Sequence, residues 1–382
     1  MRPVIADLPG SRIREVANAG LGRPDVLAFW FGESDEVTPL AVREAAAASL
    51  MAGETFYSHN LGLPELRAAI AAYASGLHRP IGPERIAVTS SGVSALMVAM
   101  QLLADPGDEV VAVVPVWPNL TAQPAILGAR VTRVPLRPQG GAWRLELDEL
   151  LAAVTDRTRV LLVNAPNNPT GWTLSRAEQQ ALVAHCRRTG TWIVADEVYE
   201  RVWFGEGPAA PSFLDIAEPE DRLVVVHSFS KSFLMTGWRL GWMVLPPSQL
   251  EAVGKLLEFN SSCAPVFAQR GAVAALAMAE NFVPGLVQRL RNGRDVLHGG
   301  LLALPGVQVA VPDGGMYAFF RVEGQDDSLA FAKHLVQNHG LGLAPGVAFG
   351  PEAEGWLRWC FASQDPARLS AGLQRLTAAL GL

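Results

Sequence analysis

The chain has 382 residues, 49% of them hydrophobic and 18% charged, with a formal net charge of −6. At roughly 150 residues per domain that length predicts two to three domains, and the balance excludes a disordered chain. Three distant cysteines, Cys186, Cys263 and Cys360, exclude a disulfide framework and lack metal-ligand spacing, while the net acidity argues against nucleic acid as a partner. No apolar run approaches a membrane span, and the start, Met1 to Asp7, has no apolar secretion segment. The expectation is a soluble cytoplasmic protein with a small-molecule partner and no nucleic-acid or membrane partner. Of 31 basic residues only Lys231, Lys255 and Lys333 are lysine, so a lysine set between serines calls for its own explanation.

The first 45 or so residues show no strand–helix unit of their own and are expected to pack beside a smaller domain. From there short, nearly all-apolar runs alternate with helical patterns: Ile86–Ser90, Val110–Val114, Val131–Pro135, Val160–Ala165, Trp192–Asp196, Val224–Ser228 and Gly241–Leu245. Such runs are strands covered on both faces, and the alternation predicts a mostly parallel α/β sheet flanked by helices. Ser175 and Glu178 form a capping-box pattern ahead of a helix. After about residue 275 two helical stretches surround short strands at Val307–Val311, Met316–Val322, Leu341–Ala344 and Leu357–Ala362. The predicted division is a large domain over 46–275 and a small α+β domain built from 1–45 and 276–382.

Ligands of open parallel sheets bind at the carboxyl ends of the strands, so the residues just past each strand carry the functional reading. Ser91, Gly92 and Val93 turn the first strand into a helix, and such a turn presents free N–H groups to an anion, or is an ordinary helix cap. The turn Ala165-Pro166-Asn167-Asn168-Pro169-Thr170-Gly171 can hold the Asn168 amide rigidly. Asp196 stands at the mouth of an apolar strand, where a carboxylate needs a partner. Ser228-Phe229-Ser230-Lys231 puts a lysine at the same edge, able to form a Schiff base with a carbonyl, and Arg239 follows with a fork suited to phosphate. A phosphate cradle, an amide, a carboxylate, a lysine and an arginine on one sheet edge match the groups of pyridoxal phosphate.

The order and spacing of Asn168-Pro169-Thr170-Gly171, Asp196-Glu197-Val198-Tyr199 and Ser228-Phe229-Ser230-Lys231 resemble the class I/II aminotransferases of pyridoxal-phosphate fold type I. The resemblance runs from Phe31-Gly32-Glu33 to Leu357-Arg358. It implies that Lys231 holds the cofactor as a Schiff base and acts as the base, and that Asp196 faces the pyridine nitrogen. It also implies that Asn168 and Tyr199 hydrogen-bond the phenolic oxygen. Trp117, otherwise a core tryptophan, would stack on the ring. Ser91, Gly92, Val93, Ser228 and Arg239 would hold the phosphate, with Tyr57 reaching it from the neighbouring subunit of a homodimer. Arg358, in an apolar strand where an arginine needs an anion, would take the substrate α-carboxylate, joined by Gly32 and Asn168; the alternative is an internal ion pair. A subgroup of aspartate-specific relatives carries a lysine where Val93 stands, so neutral or hydrophobic amino donors are expected. Two other readings remain. One is a lyase or decarboxylase of the same fold, which shares every cofactor residue. The other is a non-catalytic effector domain, which would need an appended DNA-binding segment.

Overall fold

A computed structural model of the chain describes residues 1–382. In chain order the strands begin with β1 (Leu27–Ala28), β2 (Ile86–Thr89), β3 (Glu109–Val114) and β4 (Arg130–Pro135). A short hairpin follows, β5 (Arg137–Gln139) and β6 (Ala142–Arg144), then β7 (Thr158–Asn164), β8 (Trp192–Asp196), β9 (Leu223–Ser228) and β10 (Gly241–Val244). The last are β11 (Val307–Val309), β12 (Tyr317–Val322), β13 (Leu341–Gly342), β14 (Ala344–Pro345) and β15 (Trp356–Cys360).

Seven strands form one sheet in the order β2-β10-β9-β8-β7-β3-β4. It is parallel except for β10, which runs antiparallel to both of its neighbours. Of the central strands β9 is buried along its whole length, and β7 and β8 are buried except at the exposed Arg159 and the half-buried Trp192, because helices cover both faces. Along β7, Leu161 and Val163 face one core while Val160 and Leu162 face the other, the period of two that a pleated strand imposes. The edge strand β4 instead alternates exposed Arg130 and Thr132 sites with covered ones and ends in proline, features that blunt an open edge. The helix Arg176–Thr189 starts at the Ser175/Glu178 capping box and stops at Gly190, where φ is +74°.

A second sheet, β11-β12-β15-β14, is antiparallel throughout. The strand expected at Leu341–Ala344 is two pieces. β13 pairs in parallel with β1, and β14 joins the second sheet. The first 45 residues are also more structured than their sequence suggests. Ser11 caps a helix over Arg12–Gly20, and β1 adds a strand whose only partner lies more than 300 residues away. The Ser11 cap is a local signal the sequence reading passed over, whereas the two-residue strand is defined by its partner, not by its own composition.

Candidate active site

The carboxyl edge of the large sheet gathers the segments in which the sequence concentrates chemistry. Past β2, Ser91 adopts φ +147°, a region a non-glycine residue enters only under strain, and its Oγ accepts from the Ser94 N–H at 3.1 Å. The helix Gly92–Leu103 starts there, and its first residues, Gly92 and Val93, line the cleft. Strand β10 pairs Gly241 with both Thr89 and Ser228. A Cβ on Gly241 would lie 2.6 Å from the Gly92 nitrogen and 2.8 Å from the Ser91 carbonyl carbon. Only glycine lets the antiparallel strand pass so close to this turn.

Past β7 the loop is pinned from both sides. Asn164 donates to the Asp196 carbonyl at 2.9 Å and accepts from the Asn168 N–H at 2.7 Å. Asn167 accepts from the N–H and hydroxyl of Thr170 at 3.0 and 2.8 Å. The Asn168 side chain is thereby held facing the cleft, where its Oδ1 accepts from Arg358 Nη1 at 3.0 Å.

Past β8, Asp196 is 2% exposed and accepts only a long bond from the Val198 N–H at 3.4 Å, with no ion pair. Burial raises its carboxyl to a pKa of about 7. Tyr199 is buried and its hydroxyl lies 2.6 Å from that of Tyr317. Past β9, Ser228 Oγ donates to Ser230 Oγ at 2.9 Å and accepts from the Ser230 N–H at 3.1 Å. Lys231 Nζ donates to the Gly32 carbonyl at 2.5 Å, and burial lowers its pKa to about 8. Arg239 is exposed at φ +52°, with Nη1 donating to the Thr236 carbonyl at 2.6 Å.

The second sheet closes the site. Arg358 sits mid-strand in β15, 2% exposed, and no carboxylate answers it. It donates to Asn168 Oδ1 and to the Trp30 carbonyl, while its Nε is buried without a partner. The guanidinium lies between two rings, 4.4 Å from the Tyr317 centroid and 4.9 Å from that of Phe349. The alternative of an internal ion pair at Arg358 is therefore set aside.

One cavity of about 410 Å³ joins these groups. Gly92, Val93, Asn168, Asp196, Tyr199, Ser228, Lys231 and Arg239 reach it from the large sheet's edge, and Gly32, Trp117 and Arg358 from elsewhere. Ser91 lies just behind its wall, buried as the helix cap. Tyr57 is 89% exposed and does not line the cavity of its own chain. Sequence reasoning passed over Tyr317, Arg14 and Glu33, which also line it. Tyr317 had a usable signal. It is one of four tyrosines in the chain, and a hydroxyl inside an apolar strand requires a partner.

Residues 25–376 match the family model for aminotransferase class I and II. The chain is 34% identical over 340 residues to an arginine–pyruvate transaminase of Pseudomonas aeruginosa, covering 87% of this chain and 85% of that protein. It is 32% identical over 377 residues to an aspartate aminotransferase of Thermotoga maritima, covering 97% of each. Among solved structures, the aspartate aminotransferase from Thermus thermophilus with maleate superposes with a TM-score of 0.89. That match has 30% identity and covers 99% of this chain and 98% of that one.

Proposed function

The chain belongs to the class I and II aminotransferases, and from that premise we propose that it transfers the amino group of a neutral or hydrophobic α-amino acid to a 2-oxo acid, with pyridoxal phosphate held through Lys231. The observation that carries the reading is the meeting of a buried Asp196, a buried Arg358 and a half-buried Lys231 in one cavity, with no charged protein group paired to any of them.

The residues fit that cofactor. Asp196 has neither a cation nor a second donor, which suits a protonated pyridine nitrogen. The Asn168 amide and the Tyr199 hydroxyl suit the phenolic oxygen, and Trp117 offers a flat face to the ring. Ser228, the N–H groups at Gly92 and Val93, and Arg239 suit the phosphate, with Ser91 holding the turn that presents them. When bound, pyridoxal phosphate supplies a carbonyl that links to an amine and a ring that accepts the electron pair left at the substrate Cα.

The chain's own residues supply the rest. Near neutral pH the lowered pKa of Lys231 leaves a usable fraction of free amine, which would hold the cofactor and, when free, could take the proton from the substrate Cα. The Gly32 carbonyl holds that amine close to the Tyr199 ring, 5.6 Å from its centroid. Arg358, which lines the cavity, would take the substrate α-carboxylate, its guanidinium oriented by Asn168 and the two flanking rings. Asp196, whose carboxyl burial holds near pKa 7 without a partner, would ionise against the pyridine nitrogen and hold a proton there. Ile13, Phe31, Val93 and Leu96 make an apolar wall for the donor's side chain. Of the two charges beside it, Glu33 accepts from Thr236, and Arg14 stacks on Phe31 at 5.5 Å, a contact that leaves its charge in place. The extreme exposure of Tyr57 and its neighbour Phe56 supports a homodimer in which Tyr57 reaches the partner's phosphate site.

Borohydride reduction of the holoenzyme, followed by peptide mapping, tests the reading. The cofactor is expected on Lys231, and Lys231→Ala is expected to abolish turnover while retaining some noncovalent cofactor. Label on Lys255 or Lys333 overturns it. A half-reaction panel of amino donors then ranks the substrates, and return of the aldehyde absorbance on adding a 2-oxo acid separates transamination from a lyase outcome.

A further inference from the structure

Tyr317 opens β12 and is 1% exposed. Its strand pairs antiparallel with β15, with Tyr317 opposite Cys360 and Phe319 opposite Arg358, so these four side chains share one face of the second sheet. From there the tyrosine ring lies under the Arg358 guanidinium, and its hydroxyl crosses the cleft to Tyr199 on the large sheet. The same hydroxyl presses on Gly32, where any Cβ would overlap it, and the Gly32 carbonyl holds Lys231. Tyr317 thus touches the carboxylate-binding arginine, the tyrosine beside the cofactor's phenolic oxygen and the glycine that holds the lysine.

A proton count gives this contact a direction. A phenol has one hydrogen to donate. The Tyr317 hydroxyl has one hydrogen-bond partner, the Tyr199 oxygen at 2.6 Å, and in the free protein either can donate. If Tyr199 gives its hydrogen to the cofactor, Tyr317 must be the donor of the pair. A donor behind an O–H group polarises it and strengthens its own outward bond.

We propose that Tyr317 is a positioning residue for the reaction: its hydroxyl donates to Tyr199 and so turns the Tyr199 proton toward the cofactor's phenolic oxygen, while its ring fixes the Arg358 guanidinium. The proposal rests on the pyridoxal-phosphate reading above. It couples the two sheets, because the group that recognises the α-carboxylate and the group that tunes the cofactor share one side chain.

The test is a pH titration of the absorbance band of the lysine-linked holoenzyme. Tyr317→Phe keeps the ring on Arg358 and removes only the hydroxyl. A weaker donor at the phenolic oxygen leaves more electron density for the neighbouring nitrogen, so the midpoint is expected to rise by roughly half a unit to one unit. In a Tyr199→Phe background the same change is expected to move nothing, because Tyr317 then has no proton to direct. Tyr317→Leu is expected to add a rise in KM of about tenfold for an amino acid, a loss on the scale of one cation–π contact, and none for the corresponding amine without a carboxylate. An unmoved midpoint in Tyr317→Phe, or an equal shift with and without Tyr199, overturns the proposal. A wild-type protein with no lysine-linked band instead brings down the cofactor reading on which it rests, so the two failures are told apart.

Discussion

Arg358 is a single buried residue whose charge no protein carboxylate answers. A guanidinium this deeply buried is costly unless anions or carbonyls answer it, yet its nearest acceptors are an amide oxygen and a main-chain carbonyl, and Nε has none. The two rings around it hold the plane still without neutralising its charge. Arg358→Leu is expected to lower kcat/KM for an amino acid by about 2–5 kcal/mol, the range for truncating one member of a desolvated charge pair. It should leave the corresponding decarboxylated amine nearly untouched. An equal loss on both substrates, beside a lowered melting temperature, would mean that Arg358 serves the fold alone.

At the scale of elements, the Ser91–Gly92 turn, proposed above to face the cofactor's phosphate, depends on a strand that contributes no side chain to it. β10 runs against the direction of its neighbours and brings Gly241 against the backbone of Ser91 and Gly92. These contacts are to main-chain atoms at the strained Ser91, which cannot swing aside as a side-chain tip would. Gly241→Ala is expected to cost ~1–3 kcal/mol of stability, the usual penalty of overpacking. It should also weaken pyridoxal phosphate binding about tenfold, equivalent to roughly 1.4 kcal/mol, as the first N–H groups of the helix shift. A melting curve of the cofactor-free protein and a fluorescence titration measure the two effects, and an unchanged cofactor Kd would show that the turn does not rely on β10.

For the whole molecule, pH enters through a buried cluster behind the site. His78, at the end of helix Pro64–Leu77, bridges Asp215 at 2.9 Å and Glu200 at 3.0 Å. Glu200 in turn faces His227 at 3.5 Å, Arg176 meets Asp215 at 2.8 Å, and Glu197 is bound by Ser212 and the Phe213 N–H. Burial by itself would lower the pKa of His78, but its two carboxylates outweigh burial and lift it to about 10. A histidine raised from 6.5 contributes stability that is complete below pH 6.5 and is lost as pH rises through 10. The melting-temperature gap between wild type and His78→Gln is therefore expected to be widest near pH 6, worth ~2–4 kcal/mol on the conversion of pKa shift to energy. The gap should close toward pH 10, and a gap that is flat or widens over that interval would show that His78 is neutral in the folded protein.

Much of this protein is legible without coordinates, and the reason is chemical locality. Strands buried on both faces announce themselves by unbroken apolar runs, so all seven strands of the large sheet lie within two residues of their predicted limits, and Trp192–Asp196 matches at both ends. Residues past those strands are adjacent in sequence to the element that positions them, which is why Asp196, Lys231 and Asn168 could be read as one edge. Other features depend on pairings between distant segments. The reversal of β10, the pairing of β1 with β13, and the split of Leu341–Ala344 into two strands are set by partners far along the chain. Tyr317 belongs to the same class, since its hydroxyl gains meaning only where two sheets bring it to Tyr199, 118 residues away. Local sequence determined which residues carry charge, an amine or an amide at a strand end, and backbone turns; tertiary structure decided which of them share a cavity, because burial and hydrogen-bond partnership arise between segments that no local pattern connects.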